Sequence, residues 1–220
     1  MTLVAQPLVV ADRLDSFAAA TTFLSRVFLR PPDQQLIAAV ADVALWEQWP
    51  LRRDEWTERG LADMHAAVTS DKPETLEQLA HDYQRLFVGP AHVIACPYES
   101  VYLSEEHLIF EEQTLAVRHS YARFGLQAPA LHREPDDHVG LELDFLARLC
   151  QMGLDALDDG DNESVGAITD AMGAFLTEHL LRWVFECLES LHDGANSRFY
   201  RGLSSLTEGA AHQLRMAFVS

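Results

Sequence analysis

Residues 134–150, EPDDHVGLELDFLARLC, bring two adjacent carboxylates, an imidazole and a third carboxylate to the start of an otherwise apolar helix. Asp136 and Asp137 follow Pro135, where the helix is expected to open. His138 and Glu142, four positions apart, fall one turn from each other on its surface. At about 100° per residue, Val139, Leu143, Leu146 and Cys150 make an apolar row flanked by Phe145 and Leu149, and His138 and Glu142 lie within that arc. Asp137, Asp144 and Arg148 lie opposite, so Asp137 is expected at the surface and the His138–Glu142 pair toward the interior or a groove.

Four chemistries use such groups. A metal ion could be anchored by His138 and Glu142, but it needs at least one further ligand, and the chain carries no His-Glu-x-x-His motif. Acid–base hydrolysis needs a nucleophile or an activated water, and no recognisable motif supplies one. A buried, hydrogen-bonded pair needs nothing more, with Asp136 and Asp137 complementing the positive end of the helix. The fourth use is recognition, in which carboxylates beside a groove receive a cation such as arginine.

The elements that must position these groups read as helices throughout; no run alternates with the period of a strand. A first helix spans about Asp12 to Arg30 and is stopped by Pro31-Pro32. A second begins near Asp33, carries Leu36, Ile37, Val40, Ala44 and Leu45 on one face, and ends at WEQWP. A third covers about Asp54 to Ser70, and a fourth is opened by Pro73 and closed by Gly89. Residues 90–110, PAHVIACPYESVYLSEEHLIF, break the pattern with two prolines, three aromatics and no helical stripe. Helix resumes from about Phe110 to Gly125, then from Pro135, then from Glu163 to about Leu191 with a break near His179; Ser197 caps the last. The expectation is an all-α bundle of eight or nine helices forming a single domain over residues 1–220.

Composition limits the function. The chain is 48% hydrophobic and 23% charged, with no apolar run near the roughly 20 residues that span a bilayer. The first residues lack a basic signal region, and Arg52-Arg53 has no apolar stretch behind it, so a cytoplasmic location is expected. Cys96, Cys150 and Cys187 are odd in number and far apart, which points to reduced thiols. A net charge of −18 repels nucleic acid and attracts basic partners. No glycine-rich phosphate loop of the G-x-x-x-x-G-K type is present.

Three stretches in order carry a resemblance: YQRLFVGP (Tyr83–Pro90), CPYESVYL (Cys96–Leu103) and EPDDHVGLELDFLARL (Glu134–Leu149). Together they resemble the TorD/DmsD family of redox-enzyme maturation chaperones, relatives of NarJ. FLTEHLLRWVFECLE (Phe175–Glu189) is similar to the family's later segment, so the likeness covers roughly residues 80–190. It implies an all-α, TorD-like fold, no catalytic chemistry and no cofactor of its own. The implied partner is the twin-arginine leader, and in some members the body, of a molybdopterin oxidoreductase of the DMSO or TMAO reductase type, held until cofactor insertion precedes export. Asp137 and His138 match the family's Asp-His pair, Tyr83 and Phe87 its aromatic helix, and Pro97, Tyr98, Ser100 and Tyr102 its aromatic loop. Ala91 stands where some members have tryptophan, Cys96-Pro97 where a double proline is frequent, and no proline accompanies Trp183.

The residue types suit that partner. Guanidinium groups pair with carboxylates and stack on aromatic faces. Asp136, Asp137, Glu99 and Glu142 are the candidate acceptors, and Tyr83, Phe87, Tyr98 and Tyr102 the candidate platforms. The leader's apolar stretch would lie as a helix in a groove. The competing functions are a metal-dependent hydrolase or nucleotide-binding enzyme using Asp137, His138 and Glu142, and a NarJ-like assembly adaptor that ignores the leader. The resemblance implies either a monomer or a segment-swapped dimer.

Overall fold

The computed structural model describes residues 7–89, 93–104, 112–129 and 135–219. All regular structure among them is helical. Helix α1 (Pro7–Leu29) ends just before the two prolines, which disfavour helical backbone in the residue ahead of them. Asp33 caps α2 (Gln34–Ala41) by accepting from the Leu36 amide at 2.8 Å, and Asp42 separates it from α3 (Val43–Glu47) by capping the Ala44 amide at 2.9 Å. The second expected helix is therefore two. Asp54 caps α4 (Glu55–Thr69). Thr75, not Pro73, begins α5 (Leu76–Tyr83), in a reciprocal capping box with Gln78. The long irregular stretch contains α6 (Glu99–Leu103), followed by α7 (Glu112–Ala122). Then come α8 (Val139–Asp158), α9 (Asn162–Glu178), α10 (Val184–Gly194) and α11 (Arg198–Phe218), the last capped by Ser197 as expected. The expected break at His179 is a single 3₁₀ turn over Leu180–Arg182. Counting that break gives the upper expectation of nine helices; α3 and α6 bring the described number to eleven.

Two long helix pairs build the core, α1 along α8 and α4 along α11. The α4–α11 crossing is close because glycines sit where the backbones meet. A Cβ on Gly60 would fall 2.6 Å from the Leu206 amide nitrogen, and one on Gly202 would fall 2.8 Å from that of Met64. Trp183, Tyr200, Phe28 and Phe199 are the largest fully buried side chains, and they join one continuous apolar cluster. Cys96, Cys150 and Cys187 are unbonded thiols. No helix among the described residues is long and apolar enough to cross a membrane.

Candidate functional site

The last turn of α5 runs into a π-turn over Gln84–Val88, closed where the Gly89 amide donates to the Gln84 carbonyl at 2.6 Å; Gly89 takes a φ of 54° that favours glycine. This wider turn carries Tyr83, Phe87 and Val88 toward the end of α1. The segment from Val93 to Tyr98 returns across it, held by the Ala95 amide on the Leu86 carbonyl at 3.0 Å. Between these walls and the start of α8 lies a cavity of about 610 Å³. Leu29, Tyr83, Phe87, Pro97, Tyr98, His138 and Leu141 line it. Each of the three sequence motifs contributes to the lining.

Tyr83 and Phe87 are only 6% and 5% exposed, so most of each ring belongs to the core. The Tyr83 hydroxyl donates to the Phe28 carbonyl at 2.9 Å, and Phe87 packs at 5.7 Å, edge to face, against both Phe28 and Tyr200. Packing and groove lining are both their work. Tyr98 stands perpendicular to the His138 ring at 5.2 Å. Tyr102 lies outside the groove, stacked on the Trp183 indole at 5.3 Å.

The carboxylates differ from expectation. Helix α8 begins at Val139, with His138 as its cap accepting from the Gly140 amide through Nδ1 at 3.0 Å. Residues 135–137 are non-helical instead, and His138 is extended. They pair with the aromatic loop, the Glu99 amide donating to the Asp137 carbonyl at 2.9 Å and the Val139 amide to the Pro97 carbonyl at 2.8 Å, around a Tyr98–His138 bridge. A helical rotation therefore does not apply to Asp137. Far from being exposed, Asp136 and Asp137 are 0% accessible.

Each is also engaged within the chain. Asp137 accepts from the Ser100 amide at 2.8 Å and the Thr114 hydroxyl at 2.7 Å. Asp136 takes the chain's own Arg118 guanidinium at 2.7 Å, and its backbone carbonyl takes the Tyr121 hydroxyl at 3.0 Å. Glu99 and Ser100 are buried at the start of α6; the Glu99 carboxyl oxygens lie 3.2 and 3.1 Å from His179 Nδ1. Glu142 faces the interior as expected, but not His138, which looks into the groove. The two are separated, so the anticipated His138–Glu142 pair is absent. Desolvation pushes the His138 imidazole down to about 4, and burial, reinforced by the nearby Glu99 and Asp137, pushes Glu142 well above the carboxylate range.

The described lining of the groove thus contains no carboxylate; Arg30 and His138 are its basic side chains. All four expected acceptors sit behind the wall. Among the described residues no cluster of His, Cys, Asp and Glu has the makings of a metal site. Arg118, Thr114 and Tyr121 carried no sequence signal, because they reach Asp136 and Asp137 from a separate helix. His179 and Trp183 lie in the segment already similar to the family, and the break in periodicity marked the first of them.

Comparison with known proteins decides the family. A family model described as the nitrate reductase delta subunit matches residues 52–189. The chain belongs to the TorD/DmsD family of redox-enzyme maturation chaperones, to which NarJ is related. Family relatives include the probable Tat proofreading chaperone DmsD of Haemophilus influenzae, 30% identical over 84% of this chain and 82% of that one. The Tat proofreading chaperone DmsD of Salmonella typhimurium is 30% identical over 87% and 85% of the two chains. The chaperone protein TorD of Photobacterium profundum is 29% identical over 64% of each. In fold, the chain is similar to the crystal structure of a protein described as a redox enzyme maturation protein from Archaeoglobus fulgidus, with a TM-score of 0.51 over 87% of this chain and 92% of that one, at 19% identity.

Proposed function

We propose that this chain is a cytoplasmic chaperone that binds the twin-arginine leader of a molybdopterin oxidoreductase precursor and holds the precursor while its cofactor is inserted, before export. The observation that carries the reading is the groove of about 610 Å³, lined by aromatic and aliphatic side chains from all three family motifs. A groove of that character takes the leader's apolar stretch as a helix. The arginines meet aromatic faces, Tyr98 foremost, and the protein's −18 charge draws them in from solution. Asp136, Asp137, Glu99 and Glu142 act one step removed, by fixing the wall on which Tyr98, Pro97 and His138 stand.

Isothermal titration of the purified protein with a synthetic leader tests this. Saturable binding is expected, weakening with added salt, and weakened further when the leader's central leucines become serines. Absence of saturable binding would sink the reading. Co-purification of the chain with a reductase lacking its leader would instead favour the NarJ-like adaptor role, which the match to the nitrate reductase delta subunit model keeps in play.

A further inference from the structure

Behind the groove wall, Glu99, Asp136, Asp137 and Glu142 are each at most 1% exposed. Three of them have donors: Arg118 for Asp136, the Ser100 amide and Thr114 hydroxyl for Asp137, and the His179 imidazole for Glu99. Glu142 has none, and both its oxygens are buried. Its neighbours are the Glu99 carboxyl, Asp137 and the indole N–H of Trp183, itself without an acceptor. The phenol of Tyr121 on α7 and the thiol of Cys187 on α10 also lie close by, and neither brings positive charge. Two adjacent buried carboxyls cannot both ionise there, and an acid group with no donor of its own becomes satisfied once it is itself the donor.

We infer that Glu142 holds a proton and donates a hydrogen bond to Glu99, so that a Glu142–Glu99–His179 chain beside the Trp183 indole latches the groove wall to the bundle. Glu99 opens α6 directly after Pro97 and Tyr98; Glu142 lies on α8; His179 and Trp183 flank the turn between α9 and α10. The latch thereby joins the wall to three other elements at one point. Glu142 is a positioning residue for the groove, touching no ligand. Only the effect on ligand affinity rests on the leader-binding reading above.

The test has two arms. The infrared spectrum of the free protein at neutral pH should contain the carbonyl band of a buried, protonated carboxylic acid that is missing from Glu142→Gln. Identical spectra in this region would overturn the proposal. In the binding arm, Glu142→Gln supplies an amide N–H in place of the proton and should bind leader within about twofold of wild type. Glu142→Leu fills the same space without a donor and should lose tenfold or more while keeping its helical circular dichroism. Wild-type affinity in Glu142→Leu would overturn the latch. If Glu142→Leu does not fold, a Glu142→Gln variant with tenfold weaker binding would do the same. The infrared arm needs no peptide, so it separates failure of the latch from failure of the leader-binding reading.

Discussion

Replacing Asp137 with alanine removes the acceptor of two buried hydrogen bonds, from the Ser100 amide at 2.8 Å and the Thr114 hydroxyl at 2.7 Å. Bonds to a charged partner contribute about 1.5–3 kcal/mol each, and the donors left behind, on Ser100 and Thr114, are buried. The expected loss is about 3–5 kcal/mol. For a chain of this length about 1 kcal/mol moves the melting temperature by roughly 2–4 °C, so Tm should fall by about 10 °C. Asp137→Asn is the companion: its carbonyl can still take the Ser100 amide and its amide can donate to Thr114, so about half the loss should be recovered. Thermal and urea melts measure both variants, and leader titration follows at a temperature where each is folded. A Tm within about 2 °C of wild type, together with weakened leader binding, would refute the reasoning and return Asp137 to the role of an exposed arginine receptor.

Val88 is 50% exposed beside the groove, so Val88→Asp should leave stability within about 0.5 kcal/mol yet weaken leader binding at least tenfold, read by paired melts and titrations. Gly202→Ala should destabilise by about 1–3 kcal/mol in urea unfolding, because its methyl meets the Met64 backbone on the facing helix. His138 ionises near 6.5 when unfolded but only near about 4 in the fold, so its contribution to stability is fully present above 6.5 and is lost as pH falls toward 4. His138→Gln should flatten that part of the acid stability profile, measured by urea midpoints across the range.

Local signals were legible in the sequence. Asp33, Asp54 and Ser197 cap the helices they precede, Pro31-Pro32 ends α1, and the periodicity fails at His179 where the chain turns. The inward face of Glu142 followed from rotation alone. The error at Asp137 came from starting α8 at Pro135; the non-helical backbone there is stabilised by pairing with residues 97–99, nearly forty positions away, and no local rule reports such a partner. The same long-range pairing is why Arg118 and Thr114 went unseen: their significance exists only once α7 lies over the bridge. The groove itself was legible as three motifs but not as a shape, and the structure places the four carboxylates behind its described lining.

The most direct measurement places a photo-crosslinking residue in the apolar stretch of a twin-arginine leader and maps the crosslinks by mass spectrometry. Crosslinks concentrated on residues 83–88, 93–98 and 138–141, and abolished by excess unmodified leader, are the expected result. Specific crosslinks confined to α2 and α3, or none that unmodified leader competes away, would contradict the account.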